Sequence, residues 1–290
     1  GTYARCFVAL PLLAVADMFC GSRLTAIAYY FSDGGMVADA DRARFDALIA
    51  STQRWCTSGW VALAIVVCTY ALLITLLDLI PTNEIPLWHH VTEVRSLSPA
   101  GWWHLLVSAP LLLGLLLAWL WRLVVWTRFL VRIARSPIRL CAAHPDRAAG
   151  LKFVGYSVRA YAPIGAALGA LFAGHVAEQV WYDDAKVASY QNSMIGLIVL
   201  VVLLFGAPLL AFAPRLMREW REGVFTYGKL AEQLGFEFED KWFRPGRRVD
   251  SRVLEVTDFS AAIDLNSYVA NVFSMRLTPA DMLSFLLLCA

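Results

Sequence analysis

The 290-residue chain is 59% hydrophobic and 17% charged, with a mean hydropathy of +0.58, a balance outside that of soluble globular domains. Its apolar residues fall in continuous runs of membrane length rather than in the interrupted stripes of an aqueous core, so a lipid bilayer is the partner they imply. A net charge of +2, without a basic stripe interleaved with aromatics, excludes nucleic acid.

The expected fold is all-α, a polytopic transmembrane helical bundle with amphipathic cytoplasmic helices. A first span is expected over about 6–28, with Pro11 and Asp17 inside it. The apolar stretch after Arg5 lacks a small-residue cleavage site followed by a soluble domain, and it reads as a membrane helix rather than a signal peptide. Residues 38–55 carry helical apolar spacing with interleaved acids and bases, the pattern of an amphipathic surface helix. A second span follows over 60–80, then a loop over 81–101 with Pro81, Pro86 and Pro99.

The third helix starts near Trp102 and runs to about Arg135, longer than the hydrocarbon requires, with the span itself over 102–130. A fourth span is expected over 153–180 and a fifth over 193–213, ending at Pro214. Residues 215–279 form an amphipathic cytoplasmic region, and 280–290 open a further span. The chain is expected to continue beyond both ends, since it opens on Gly1 and stops within that last apolar run.

Arginine and lysine alternate between connections, and bases are retained on the cytoplasmic side of a bacterial inner membrane. Arg23, Arg42, Arg44 and Arg54 lie in the first connection, only Arg95 in the second, and Arg128, Arg132, Arg135, Arg139, Arg147 and Lys152 in the third. Lys186 alone marks the fourth. Loops 81–101 and 181–192 are therefore expected in the periplasm, and 29–59, 133–152 and 215–279 in the cytoplasm.

Four histidines gather toward the periplasmic side: His89 and His90 in one loop, His104 at the head of the third helix and His175 late in the fourth. Glu93, Glu178, Asp183 and Asp184 accompany them, so imidazole and carboxylate ligands for a divalent metal are present in principle. The simpler reading, which we prefer, makes them interfacial polar residues beside an aromatic belt of Trp88, Trp102, Trp103, Trp181 and Tyr182. No cofactor is predicted. The six cysteines, Cys6, Cys20, Cys56, Cys68, Cys141 and Cys289, lack the close pairs of a zinc or haem site and read as small buried hydrophobes.

Asp17 and Arg159 lie inside apolar spans, where an unpaired charge costs about 2.5–3.5 kcal/mol on insertion scales. They are expected to pair across the first and fourth helices; a polar permeation path is the sharper alternative. In the fourth helix Ala162, Ala166 and Ala170 share one face with Gly165 and Gly169 beside it, which suits close helix approach. Pro110, Pro163 and Pro208 mark expected kinks. Arg122, Arg128, Arg132, Arg135 and Arg139 are too irregular for a voltage sensor and are read as snorkelling toward lipid headgroups.

The stretch from Cys141 to Leu151 is the most motif-like in the chain: Pro145 breaks a helix, His144 and Asp146 flank it, and Arg147 and Gly150 follow. A rigid hydrogen-bonded turn is the preferred reading and a catalytic His144–Asp146 pair the alternative. Together with Val256 to Val272, this stretch resembles a family of bacterial polytopic inner-membrane proteins of uncharacterised activity, whose cytoplasmic loop reads HPD, a base, then a small-Gly-Leu run. The family pattern has glycine where this chain has Ala149, and the resemblance implies no activity. No Walker loop, dinucleotide fingerprint, nucleophile elbow, HExxH helix or paired CxxC occurs, so an enzyme is the less favoured class. The expected function is a channel or transporter-like subunit, alone as a homo-oligomer or with other membrane subunits. The alternatives are an accessory or scaffold subunit of a larger membrane complex and a membrane-embedded metalloenzyme using the periplasmic histidines.

Overall fold

The computed structural model describes residues 3–79, 90–91, 94–97, 99–182, 186–243 and 258–289. Eleven α-helices lie within them: α1 (Leu10–Asp33), α2 (Arg42–Thr57), α3 (Gly59–Leu79), α4 (Pro99–Trp103), α5 (Ala109–Ala134), α6 (Tyr156–Ala160), α7 (Ala162–Tyr182), α8 (Gln191–Gly206), α9 (Ala213–Trp242), α10 (Asp258–Phe273) and α11 (Met282–Cys289). One antiparallel pair of short strands, β1 (His90–Val91) and β2 (Val94–Leu97), precedes α4. Five helical runs among the described residues are long and apolar enough to cross a membrane: Ala4–Asp33, Gly59–Leu76, Gly101–Ala134, Lys152–Tyr182 and Val187–Trp242. The protein is thus a multi-pass membrane protein of helical-bundle class.

Each proline inside a run sits where the helix changes type. Pro11 and Pro110 occupy the first turns of α1 and α5, directly after wide π-type turns at Ala4–Ala9 and His104–Ser108. Pro163 is the second residue of α7, beyond a break at Tyr161, and Pro208 opens a tight 3-10 stretch, Ala207–Phe212. A proline ring lacks the N–H of the helical ladder and crowds the carbonyl four residues back, and a wider or tighter turn relieves both. The same logic places Pro214 in the first turn of α9. The fifth run therefore does not stop at Pro214 but continues through it to Trp242.

The buried core lies toward the arginine-rich end of the bundle. Phe31, Phe129, Leu130, Ile133, Leu151, Tyr161, Phe212 and Leu216 are fully enclosed there, and the Phe31 ring meets Phe45, Phe153 and Phe212. By contrast, only 6% of the apolar window of α3 is buried. Lipid tails offer apolar side chains an equally apolar surrounding, so a span such as α3 needs little packing against the rest of the chain. The 21 residues of α3 rise about 31 Å, the thickness of the hydrocarbon.

The helix expected over 38–55 is α2, mostly exposed with one apolar face turned inward. It stands between α1 and α5: the Trp121 indole donates to the Trp55 carbonyl at 3.1 Å, and Phe45 and Ile49 are buried. Ser58 alone is extended between α2 and α3, and its carbonyl receives the N–H groups of Val61 and Ala62 at 3.1 Å each. α9 and α10 pack together, and α11 returns into the bundle where glycines receive it. A Cβ on Gly165 would stand 2.5 Å from the Leu288 carbonyl oxygen, and one on Gly155 would overlap that of Pro279.

Candidate functional site

Two regions bring the chemically active side chains together. The first is a cleft of about 310 Å³ walled by α1, α2 and α5. Helical spacing builds each wall: Asp17, Cys20, Gly21, Leu24 and Ala28 on α1; Ile49, Thr52, Gln53 and Cys56 on α2; Trp119, Arg122, Trp126 and Phe129 on α5. Arg122 Nη1 lies 2.8 Å from Asp17 Oδ1 and Nη2 donates to Oδ2 at 3.1 Å. The guanidinium also lies 4.6 Å over the Trp119 ring, an arrangement that favours a planar cation.

Asp17 therefore pairs with Arg122 and not, as the sequence suggested, with Arg159. The reason is rotational. Ala16 and Cys20 are both buried on α1, and the Cys20 thiol donates to the Ala160 carbonyl at 2.7 Å, so the face that carries them looks toward the fourth run. One residue on from Ala16, Asp17 is turned about 100° away. Arg159 instead donates to Ser284 Oγ at 2.9 Å and lies 4.8 Å over the Tyr156 ring. Arg122, read from sequence as snorkelling to lipid, is thus committed to a carboxylate.

The second region is the turn from Cys141 to Leu151. Asp146 Oδ1 accepts the backbone N–H groups of Ala148 at 2.8 Å and Gly150 at 3.1 Å, and Oδ2 that of Lys152 at 3.1 Å. His144 Nδ1 lies 2.9 Å from Oδ1 and 3.2 Å from the Asp146 nitrogen. With a proton, Nδ1 donates to the carboxylate; without one, it accepts the Asp146 N–H. Burial alone would raise the Asp146 pKa, but the N–H groups of Ala148, Lys152 and Gly150 and the His144 ring hold it below the ordinary aspartate range. A carboxylate so occupied is a poor base, and its evident use is to wrap the backbone around itself. The wrapping demands left-handed backbone at Arg147 (φ 56°), Ala149 (φ 54°) and Gly150 (φ 92°), a region that costs glycine least and the other two residues more.

The turn is tied to the rest of the arginine-rich half. The Arg276 N–H donates to the Arg147 carbonyl at 2.7 Å. Asn271 Nδ2 donates to the Ala143 carbonyl at 3.4 Å. Asp281, just before α11, pairs with Lys152 at 3.1 Å and with Arg276. The Lys152 hydrogen bond is the first cause of a lowered Asp281 pKa; burial opposes it, and Arg276 adds to the lowering. Sequence reasoning missed this network and also Arg215, whose guanidinium donates to the carbonyls of Ala134, Ser136 and Ile138. These carbonyls lie at and just beyond the end of α5, and that of Ser136 also accepts the Ile138 N–H at 2.9 Å. A base directly after Pro214 was the only signal, and it names no partner.

Of the candidate metal ligands, His89 and Glu93 lie outside the described residues, as do Asp183 and Asp184, and only the backbone of His90 lies within them. His104 begins the π-type turn before α5, and the His175 ring stands edge-on to Tyr190 with centroids 6.4 Å apart. Glu178 follows on α7. Among the described residues no three His, Cys, Asp or Glu side chains converge on one point. Only Cys20 of the six cysteines is fully buried, Cys6 being half-buried and the other four exposed. The expectation that all six are buried is corrected: Cys68, on α3, has no protein packed over it. Along α7, close helix approach is made at Gly165, whereas a Cβ on Gly169 would meet nothing within 4 Å. Comparison with protein-family profiles, with curated proteins and with solved structures finds no match.

Proposed function

We propose that the protein is a channel- or transporter-like subunit of a bacterial inner membrane that acts through the cleft between α1, α2 and α5. The observation that carries this reading is the Asp17–Arg122 pair on the wall of that cleft. Both side chains keep access to it, Asp17 at 58% and Arg122 at 33% exposure. An ion pair that a solute can reach is exchangeable: a polar solute that engages one partner frees the other, and the helices that carry them respond. The proline-linked changes of helix type at the heads of α1 and α5 supply joints at which such a response is absorbed. The arginine-rich end is assigned to the cytoplasm on the retention of bases there.

The test is flux from liposomes containing the purified chain, with rubidium, iodide and a zwitterionic amino acid as entrapped probes. Flux of at least one above protein-free liposomes, altered by Asp17→Asn, supports the reading. Flux of all three at the protein-free level ends it. The accessory-subunit reading is favoured by one separate observation, the α9–α10 hairpin, which leaves Phe225, Phe236, Ile263 and Tyr268 exposed. Copurification of a stoichiometric membrane partner would support it.

A further inference from the structure

The turn around Asp146 forms one wall of a second cleft, of about 420 Å³, whose other walls are the end of α1 with the Gly34–Met36 loop and the start of the fourth run. Its shape is held by the backbone. The Arg139 N–H donates to the Met36 carbonyl at 2.7 Å, Val37 bridges Ile138, and Asp146 pins the turn from within. The side chains presented to this space are rich in donors: Arg139, Lys152, His144, Tyr30 and Tyr156. The one carboxylate on the lining, Asp146, is saturated by backbone N–H groups and by His144. Among the described residues, the Arg139 guanidinium and the Tyr30 and Tyr156 hydroxyls have no hydrogen-bond partner. Lys152 keeps further N–H groups beyond the one aimed at Asp281.

A space walled by two cations, an imidazole and two phenols, with no free carboxylate on its lining, selects a compact multiply charged oxyanion. We propose that this cleft binds a phosphate group, carried either by a soluble molecule or by a phospholipid headgroup at the adjoining membrane surface. The site is independent of the α1–α2–α5 cleft and does not depend on what that cleft does.

The experiment uses the full chain in nanodiscs. In nanodiscs of zwitterionic lipid, inorganic phosphate and pyrophosphate are titrated while the melting temperature is followed; a parallel series replaces part of the lipid with phosphatidic acid. A saturable rise with pyrophosphate identifies a soluble ligand, and a rise confined to phosphatidic acid identifies a headgroup; both support the proposal. Arg139→Gln is expected to weaken the response about ten-fold, with Arg139→Lys retaining most of it, since charge carries the larger part of the contact. The backbone bond from residue 139 to Met36 survives either change. Tyr30→Phe combined with Tyr156→Phe, which alters neither charge nor backbone, is expected to weaken the response about three-fold. Arg218→Gln, on α9 and outside the cleft, should behave as wild type. No saturable response in either series overturns the proposal, as does an Arg139→Gln response equal to that of wild type.

Discussion

Arg122 grips Asp17 with two nitrogens, Nη1 at 2.8 Å from Oδ1 and Nη2 at 3.1 Å from Oδ2, across the seam between α1 and α5. The two residues are 105 positions apart in the chain, so the pair fixes how the first helix meets the third run. Each charge neutralises the other close to apolar surroundings that would otherwise exclude both.

Removing one partner is therefore expected to cost more than exchanging the two. Asp17→Asn and Arg122→Gln should each destabilise the chain in detergent by about 1–2 kcal/mol, discounted for their partial exposure. The swap of Asp17→Arg with Arg122→Asp should recover at least half of that loss. Thermal unfolding followed by circular dichroism measures it, and single variants that melt with wild type would remove the pair from the account of stability.

Asp146 should give the protein an acid-sensitive limb. Its pKa is lowered in the folded chain, so unfolding takes up a proton at low pH. The stabilisation is complete above the ordinary aspartate value of 3.8 and is withdrawn as pH falls through the lower folded value. Asp281, lowered in the same direction by Lys152 and Arg276, adds to the limb. Melting temperature is expected to be level above about pH 5 and to fall below about pH 4. Asp146→Asn should destabilise by about 2 kcal/mol at neutral pH and flatten the limb without abolishing it. A limb of unchanged steepness in that variant would assign it elsewhere.

Glycines that look equivalent in the sequence should differ when replaced. Gly165→Ala and Gly155→Ala put a methyl group against the backbone of Leu288 and Pro279, and each is expected to cost about 1–3 kcal/mol as α11 is pushed from its seat. Gly169→Ala and Gly196→Ala meet nothing within 4 Å and should be neutral or slightly stabilising through helix propensity. Equal melting temperatures for Gly165→Ala and Gly169→Ala would mean that α11 is not seated there.

Arg215 should be the most costly single cation to lose. Arg215→Met removes the guanidinium donor from the carbonyls of Ala134, Ser136 and Ile138 and leaves Ser136 with the Ile138 N–H alone, a loss of about 2–3 kcal/mol. Arg215→Lys should restore less than half, because an ammonium on a flexible stem does not span three carbonyls as the planar fork does. Full rescue by lysine would show that charge alone, and not the fork, closes the end of α5.

What the sequence determines by itself follows from local physics. A continuous apolar run such as that of α3 has one stable form in lipid, a helix with every backbone group satisfied internally, so the bundle class is legible residue by residue. The prolines at 110, 163 and 208 announce their irregularities because the missing N–H is a property of the residue. The rigid character of the Asp146 turn is foreshadowed by Pro145 and by Gly150, which takes the left-handed backbone that glycine adopts most readily.

Partnership is decided only in three dimensions. Asp17 could have met any cation on a neighbouring helix, and a rotation of about 100° per residue decides that Arg122, rather than Arg159, stands opposite it. Likewise, Gly165 and Gly169 carry the same side chain on the same helix, and only the path of α11 makes one indispensable and leaves the other open. Helix formation draws on neighbours within four residues, whereas the cleft, the seat of α11 and the cap on α5 depend on which faces of distant helices come together, and this chain writes that information in no single segment.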